Sequence, residues 1–297
     1  MYAARRKVLT MVHEHKLTVD EGEELLDAME MPRESSSPAI PRIELIGESE
    51  WNQQFLKTLD KIAATQSPVL IQGETGTGKE LIARRIHYNS RRARGPFMTL
   101  SCATLTGTLL ESELFGHERG AFTGATQTRK GLLEAAHGGT LFLDAIEALP
   151  PETQIRLCSF LQNGYFTRVG GTRPVYADVR VAGATHQDLK WLVDHGKFRS
   201  DLYYRLSVSL VQAAPLRERR EDIPVLAEYF VQKQAERDGR RPLRISDEAM
   251  KTLHEYPWPG NVAQLANVIE KALVLCDGDE ITPEHLALEK GAQGAVN

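Results

Sequence analysis

Only three of the 297 residues are cysteine, and Cys102, Cys158 and Cys276 stand far apart without C-x-x-C or Cys/His ligand spacing. That excludes a disulfide frame and a structural zinc site, and the three read as buried thiols. Long apolar runs are missing as well. None reaches the roughly 18 residues needed to cross a bilayer, and the N-terminus has no signal-peptide core, so a cytoplasmic location away from membranes is expected. Neither sign of charge dominates: 36 Lys and Arg stand against 40 Asp and Glu, a net charge of -4. The basic clusters Arg91-Arg92-Ala93-Arg94 and Arg217 to Arg220 are not interleaved with aromatics or seated on an evident recognition helix. Direct sequence-specific DNA binding by this chain is therefore not expected. What the chain does have is apolar content, 41% of its residues, enough for a core larger than one small domain needs.

Four segments can be read along the chain. Residues 1–31 show two short amphipathic helices, the first with Val8, Met11 and Val12. The second is entered through a capping-box pattern at Thr18 to Glu21 and carries Leu25, Leu26 and Met29. Such a hairpin has too little core to stand alone, which makes it a docking or self-association element. Residues 32–41, with three serines in a row at Ser35 to Ser37 and prolines around them, read as a linker. Across residues 42–215, short apolar runs (Val69 to Ile71, Phe97 to Leu100, Leu141 to Leu143, Val179 to Val181) alternate with helical stretches. This alternation predicts an α/β fold, a parallel sheet with helices on both faces. In residues 216–297 the strand signals stop. Helical patterns follow over 223–237, 247–254 and 262–275, with Thr282-Pro283 as cap and first turn of a last helix, giving a small all-helical subdomain and tail.

Two segments carry most of the chemistry. Gly73-Glu74-Thr75-Gly76-Thr77-Gly78-Lys79-Glu80 follows an apolar strand and precedes Leu81-Ile82-Ala83. It fits G-x-x-x-x-G-K, in which glycines let backbone N–H groups turn toward phosphates and the lysine neutralises their charge at a helix N-terminus. Glu80 departs from the usual Ser or Thr that holds magnesium. Leu141-Phe142-Leu143-Asp144 ends an apolar strand on a carboxylate, which puts Asp144 at the sheet's C-terminal edge, where it can orient a nucleotide-bound magnesium. The second segment is Gly120-Ala121-Phe122-Thr123-Gly124-Ala125. Its glycines permit sharp backbone changes on either side of an apolar ring, which suits partner contact at an exposed tip; the alternative is a turn that buries Phe122 in its own domain.

Together with S-E-L-F-G-H-E-R-G-A-F-T-G-A, G-G-T-L-F-L-D, F-R-S-D-L-Y-Y-R-L and Y-P-W-P-G-N-V, in this order and spacing, these segments resemble the AAA+ ATPase domain of sigma-54-dependent transcription activators, the NtrC-like family, over residues 43–288. The resemblance implies an AAA+ P-loop sheet followed by a helical lid. It further implies ATP and Mg2+, a ring that is usually a hexamer, and ATP-driven remodelling of the sigma-54 RNA polymerase through the G-A-F-T-G-A loop. By the same resemblance Phe122 and Thr123 touch the sigma factor. Arg199 and Arg205 match the paired arginine fingers that reach a neighbouring subunit's phosphate, and His186, where the family commonly has Asn, falls at the position that senses the γ-phosphate.

Three departures bear on turnover. Ala145 stands where the family has the Glu that polarises the attacking water, Ser101 where an Asn switches that Glu, and Ala263 where an arginine serves the lid. Glu147 replaces a usual Gly, but three positions on from the strand-ending Asp144 its side chain is expected to point elsewhere. Two readings stand: a motor with weakened hydrolysis, and a hydrolysis-deficient nucleotide-binding subunit that acts on an active relative or joins a mixed ring.

Overall fold

The computed structural model describes residues 43–105 and 107–288. The N-terminal hairpin, the linker and the end of the tail lie outside them. The sheet core runs α1 (Glu50–Ala64), β1 (Val69–Gln72), α2 (Lys79–Tyr88), β2 (Phe97–Ser101), α3 (Gly107–Phe115), α4 (Leu132–Ala135) and β3 (Thr140–Asp144). It continues through a one-turn 3-10 segment (Ile146–Ala148), α5 (Pro151–Asn163), the hairpin β4 (Tyr165–Thr167) and β5 (Pro174–Tyr176), β6 (Arg180–Thr185), α6 (Leu189–Asp194), α7 (Ser200–Leu206) and β7 (Ser209–Gln212).

Five strands form one parallel sheet in the order β2-β3-β6-β1-β7. Alternation along each strand divides the core in two. Leu70, Leu141, Leu143 and Val181 face a layer containing α3, α5, α6 and α7, while Val69, Ile71, Phe142, Ala182 and Ala184 face α1 and α2. Near-continuous apolar strands are what a sheet covered on both faces requires. The strand β7 was not among those expected, because Ser209 and Gln212 dilute its apolar character.

The lid comprises α8 (Ile223–Asp238), α9 (Asp247–Glu255) and α10 (Asn261–Leu275), packed around Trp258, Leu265 and Ile269. Where the sequence predicts a last helix entered at Thr282-Pro283, the chain makes a single 3-10 turn (Pro283–His285), closed by a capping box at Thr282. One feature departs from the all-helical expectation: β8 (Arg244–Ile245) and β9 (Glu280–Ile281) pair in parallel, each too short to leave a strand pattern. Lid and sheet core are tied at the fully buried Asp222, whose carboxylate accepts from the backbone N–H groups of Glu48 and Ser49 at 2.8 and 2.7 Å. Cys102, Cys158 and Cys276 are buried free thiols. Among the described residues no helix is long and apolar enough to cross a membrane.

Candidate functional site

The parallel sheet brings the C-terminal ends of β1, β6, β3 and β2 to one edge, the edge at which open α/β sheets hold ligands. β6 lies between β1 and β3, so Thr185 and His186 fall between the Gly73–Glu80 loop and Asp144. The Gly73 N–H donates to the Thr185 carbonyl at 3.1 Å, and the Cys102 N–H to the Asp144 carbonyl at 2.9 Å.

The Gly73–Glu80 loop owes its shape to its glycines. A Cβ on Gly76 would lie 2.2 Å from the Gly260 carbonyl oxygen, whereas one on Gly78, at φ 90°, would meet nothing within 4 Å. Space therefore opens above Gly78, where α2 begins without a side-chain cap. The first-turn N–H groups of α2 keep their capacity to bind an anion. Thr77 is buried, with its hydroxyl donating to the Glu74 carbonyl at 2.8 Å. Lys79 Nζ donates to the carbonyls of Gly73 and Glu74 at 2.8 and 2.9 Å. Burial lowers the Lys79 pKa, opposed by the carboxylates of Asp144 and Glu147. Glu80 turns away to Arg84, 2.7 Å distant and one helical turn on, while Asp144 stays at the site's edge, within electrostatic reach of Lys79. A nucleotide-bound magnesium fits this donor set, since magnesium commonly takes one or two carboxylates and completes its shell with phosphates and water. No three His, Cys, Asp or Glu residues among those described are grouped to hold a metal by themselves.

Two parts of the site were not anticipated. One is a cavity of about 330 Å³ that continues from Thr77 and Gly78 between Trp51, Phe55, Tyr229 and Phe230. Its walls come from α1, α2 and α8, too far apart in the chain to form a motif. The other is Asn261, fully buried at φ 52°. Its amide donates to the Thr75 carbonyl at 3.0 Å and to Glu74 at 3.1 Å, while its oxygen accepts from the Leu216 N–H at 2.8 Å. The Ala263 N–H adds a bond to the Gly76 carbonyl at 3.2 Å, and Glu74 completes the seam with a two-pronged contact to Arg217 at 2.6 and 2.8 Å. The signal for Asn261 was present in P-W-P-G-N, where Asn is one of the few residues other than Gly that readily adopts a left-handed backbone.

Glu147 corrects the expectation that it points elsewhere. Ala145 adopts the left-handed region at φ 53°, and the 3-10 turn after it folds the chain back. The Glu147 side chain is only 5% exposed and lies 2.7 Å from His186 Nδ1, while His186 itself is half exposed.

Arg199 and Arg205 are not brought to this chain's own loop. Arg199, at the N-cap of α7, pairs with Asp201 at 2.7 Å, and Arg205 donates to Gln162 of α5 at 3.0 Å. In Gly120 to Ala125, the Gly120 N–H donates to the Ala125 carbonyl at 2.8 Å and the Ala125 N–H to the Phe122 carbonyl at 3.0 Å. Both glycines take positive φ, 82° and 102°. The Phe122 ring does not stand clear: it is half-buried, edge-on to His117 at 5.1 Å. Thr123 and Gly124 are exposed. His117 is itself held by Ser112 at 2.8 Å, which fixes the imidazole against the Phe122 ring.

Residues 45–212 match the family described as the sigma-54 interaction domain, and residues 217–295 the AAA+ ATPase lid domain. The chain is 48% identical to the Nif-specific regulatory protein of Herbaspirillum seropedicae, over 83% of this chain and 45% of that protein. It is 51% identical to the regulatory protein AtoC of Escherichia coli K12, over 77% of this chain and 50% of the relative. The chain thus spans about half the length of the curated relatives it matches. Among solved structures it resembles NtrX from Brucella abortus in complex with ATP, with a TM-score of 0.77 and 40% identity over 91% of this chain and 62% of that one.

Proposed function

This chain belongs to the sigma-54 interaction family of AAA+ ATPases, and from that premise we propose that it binds ATP with magnesium and uses its turnover to remodel the sigma-54 RNA polymerase. The observation that carries this reading is the open cradle at Gly78, with Lys79 and Asp144 on its rim and the aromatic cavity behind it. An adenine ring suits the flat apolar walls of Trp51 and Phe230, and the triphosphate suits the first-turn N–H groups of α2 together with the Lys79 ammonium. Magnesium, when bound with the nucleotide, supplies charge neutralisation across the phosphates, and Asp144 would hold it. His186, at the end of the strand between Lys79 and Asp144, is suited to register whether the terminal phosphate is present.

Ring assembly, as a hexamer, gives Arg199 and Arg205 their part. They contact Asp201 and Gln162 rather than their own loop, so each would serve the nucleotide of an adjacent copy, where an arginine stabilises charge on the transferring phosphoryl group. Gly120 to Ala125 would act on the sigma factor, with Thr123 accessible at once and Phe122 released from His117 on engagement.

A second reading, a hydrolysis-deficient subunit that regulates an active relative or joins a mixed ring, is favoured by Ala145, Ser101 and Ala263, none of which supplies the group expected there. Steady-state magnesium-dependent ATP hydrolysis over a range of protein concentrations separates the two, with Lys79→Ala as background. Turnover per subunit that rises with concentration and vanishes in Lys79→Ala is expected. Retained ATP binding with no turnover at any concentration favours the regulatory subunit.

A further inference from the structure

Glu147 is buried at a cost that its local packing does not offset. Both carboxylate oxygens are shielded from solvent and neither has a hydrogen-bond donor of good geometry; the close His186 Nδ1 contact at 2.7 Å is one of distance alone. A carboxylate shielded without hydrogen-bond partners is unusual, and such groups concentrate where chemistry needs them. Its location is specific. The 3-10 turn that carries it is drawn against β6 because Gly183 has no side chain: a Cβ there would meet Ile146 Cδ1 at 3.0 Å. Ile146 thereby anchors the turn beside the end of β6, which sets Glu147 next to His186. The carboxylate is also within electrostatic reach of Lys79 and of Cys102, the two groups that feel Asp144.

We propose that Glu147, positioned by His186, takes the proton from the water that attacks the terminal phosphoryl group, in place of the carboxylate missing at Ala145. The water oxygen bonds to the γ-phosphorus as the bond to the bridging oxygen breaks, its electron pair leaving on ADP. The water proton goes to the Glu147 carboxylate and leaves for solvent by way of the neighbouring half-exposed His186 imidazole. The substitution of Ala at 145 and of Glu at 147 is thus one change, a base moved two residues along a turn that reverses. This inference rests on the ATPase reading.

The test compares the whole chain, Glu147→Gln, Ala145→Glu/Glu147→Gln and His186→Gln. Glu147→Gln, which preserves shape, should lower kcat by ~10²-fold or more, the usual contribution of a general base, with ATP affinity changed less than about threefold. Turnover should recover in the double variant. His186→Gln should lower kcat at unchanged KM. Independently of turnover, Glu147→Gln should lose affinity for ADP with aluminium fluoride, a mimic of the transferring phosphoryl group, and keep it for ADP with beryllium fluoride, a ground-state mimic. Normal turnover in Glu147→Gln overturns the proposal and leaves the ATPase reading standing, and loss of ATP binding in that variant overturns it as a structural effect. No turnover by the unaltered chain above the Lys79→Ala background overturns both, leaving nucleotide binding alone.

Discussion

The buried His87 shows how one side chain sets a pH limit on the fold. It is fully buried under β3 with Nδ1 2.9 Å from the Thr140 hydroxyl. Burial first, with the nearby Arg180, Arg84 and Arg92, lowers its pKa to about 4 against an opposing contact with the Gly95 backbone. The unfolded chain takes up this proton near the ordinary histidine value of about 6.5. Between those limits the unfolded state binds more protons, so the stabilisation from neutral His87 is fully present above pH ~6.5 and is lost as pH falls toward ~4. At about 1.4 kcal/mol per pKa unit the loss comes to ~3 kcal/mol. Denaturant midpoints measured from pH 7 to pH 4 should therefore fall, and in His87→Gln that slope should be shallower. Single residues also mark the limit of legibility. Lys79 and Asp144 were readable because a glycine loop and a strand end confine them, whereas the direction of Glu147 depended on the backbone sign at Ala145, where Ala gives no hint of a left-handed residue.

Elements were legible where periodicity was strong and opaque where contacts were distant. The strands β1 and β3 and the helix α10 follow from apolar pattern; β7 and the β8–β9 pair do not, being short or diluted with polar residues. The aromatic cavity needed α1, α2 and α8 at once. The junction between loop and lid is the element-scale feature with the clearest energetic consequence. Removing the Asn261 side chain leaves the Leu216 N–H and the Thr75 carbonyl without that partner, and buried unpaired groups typically cost ~1–3 kcal/mol. Asn261→Ala should destabilise by ~2 kcal/mol or more, with strain at φ 52° added. Asn261→Gly relieves the strain but still loses the bonds. Thermal unfolding of both, with fluorescent ATP-analogue titration, checks this: both variants should bind nucleotide more weakly, and the Gly variant should be the more stable of the two.

At the scale of the whole molecule, the proposed ring predicts a behaviour that single copies lack, since Lys79 holds its own loop while Arg199 pairs with Asp201 instead. Lys79→Ala and Arg199→Ala should each be inactive alone. Mixed in equal amounts they should recover a measurable fraction of turnover, because some interfaces would join an intact loop on one copy to an intact arginine on the next. Absence of any recovery under conditions where both variants assemble would count against catalysis shared between copies.

The bonds from Asn261 and the Ala263 N–H to the loop also make α10 a lever. Its 15 residues extend ~22 Å at 1.5 Å each, so a tilt of ~5° at the loop end would carry the far end, with the exposed Val274 and Leu275, through ~2 Å. A displacement of the Gly73–Glu80 loop too small to disturb its own hydrogen bonds would thus arrive at the rim of the lid enlarged, as a movement on the scale of a side-chain contact.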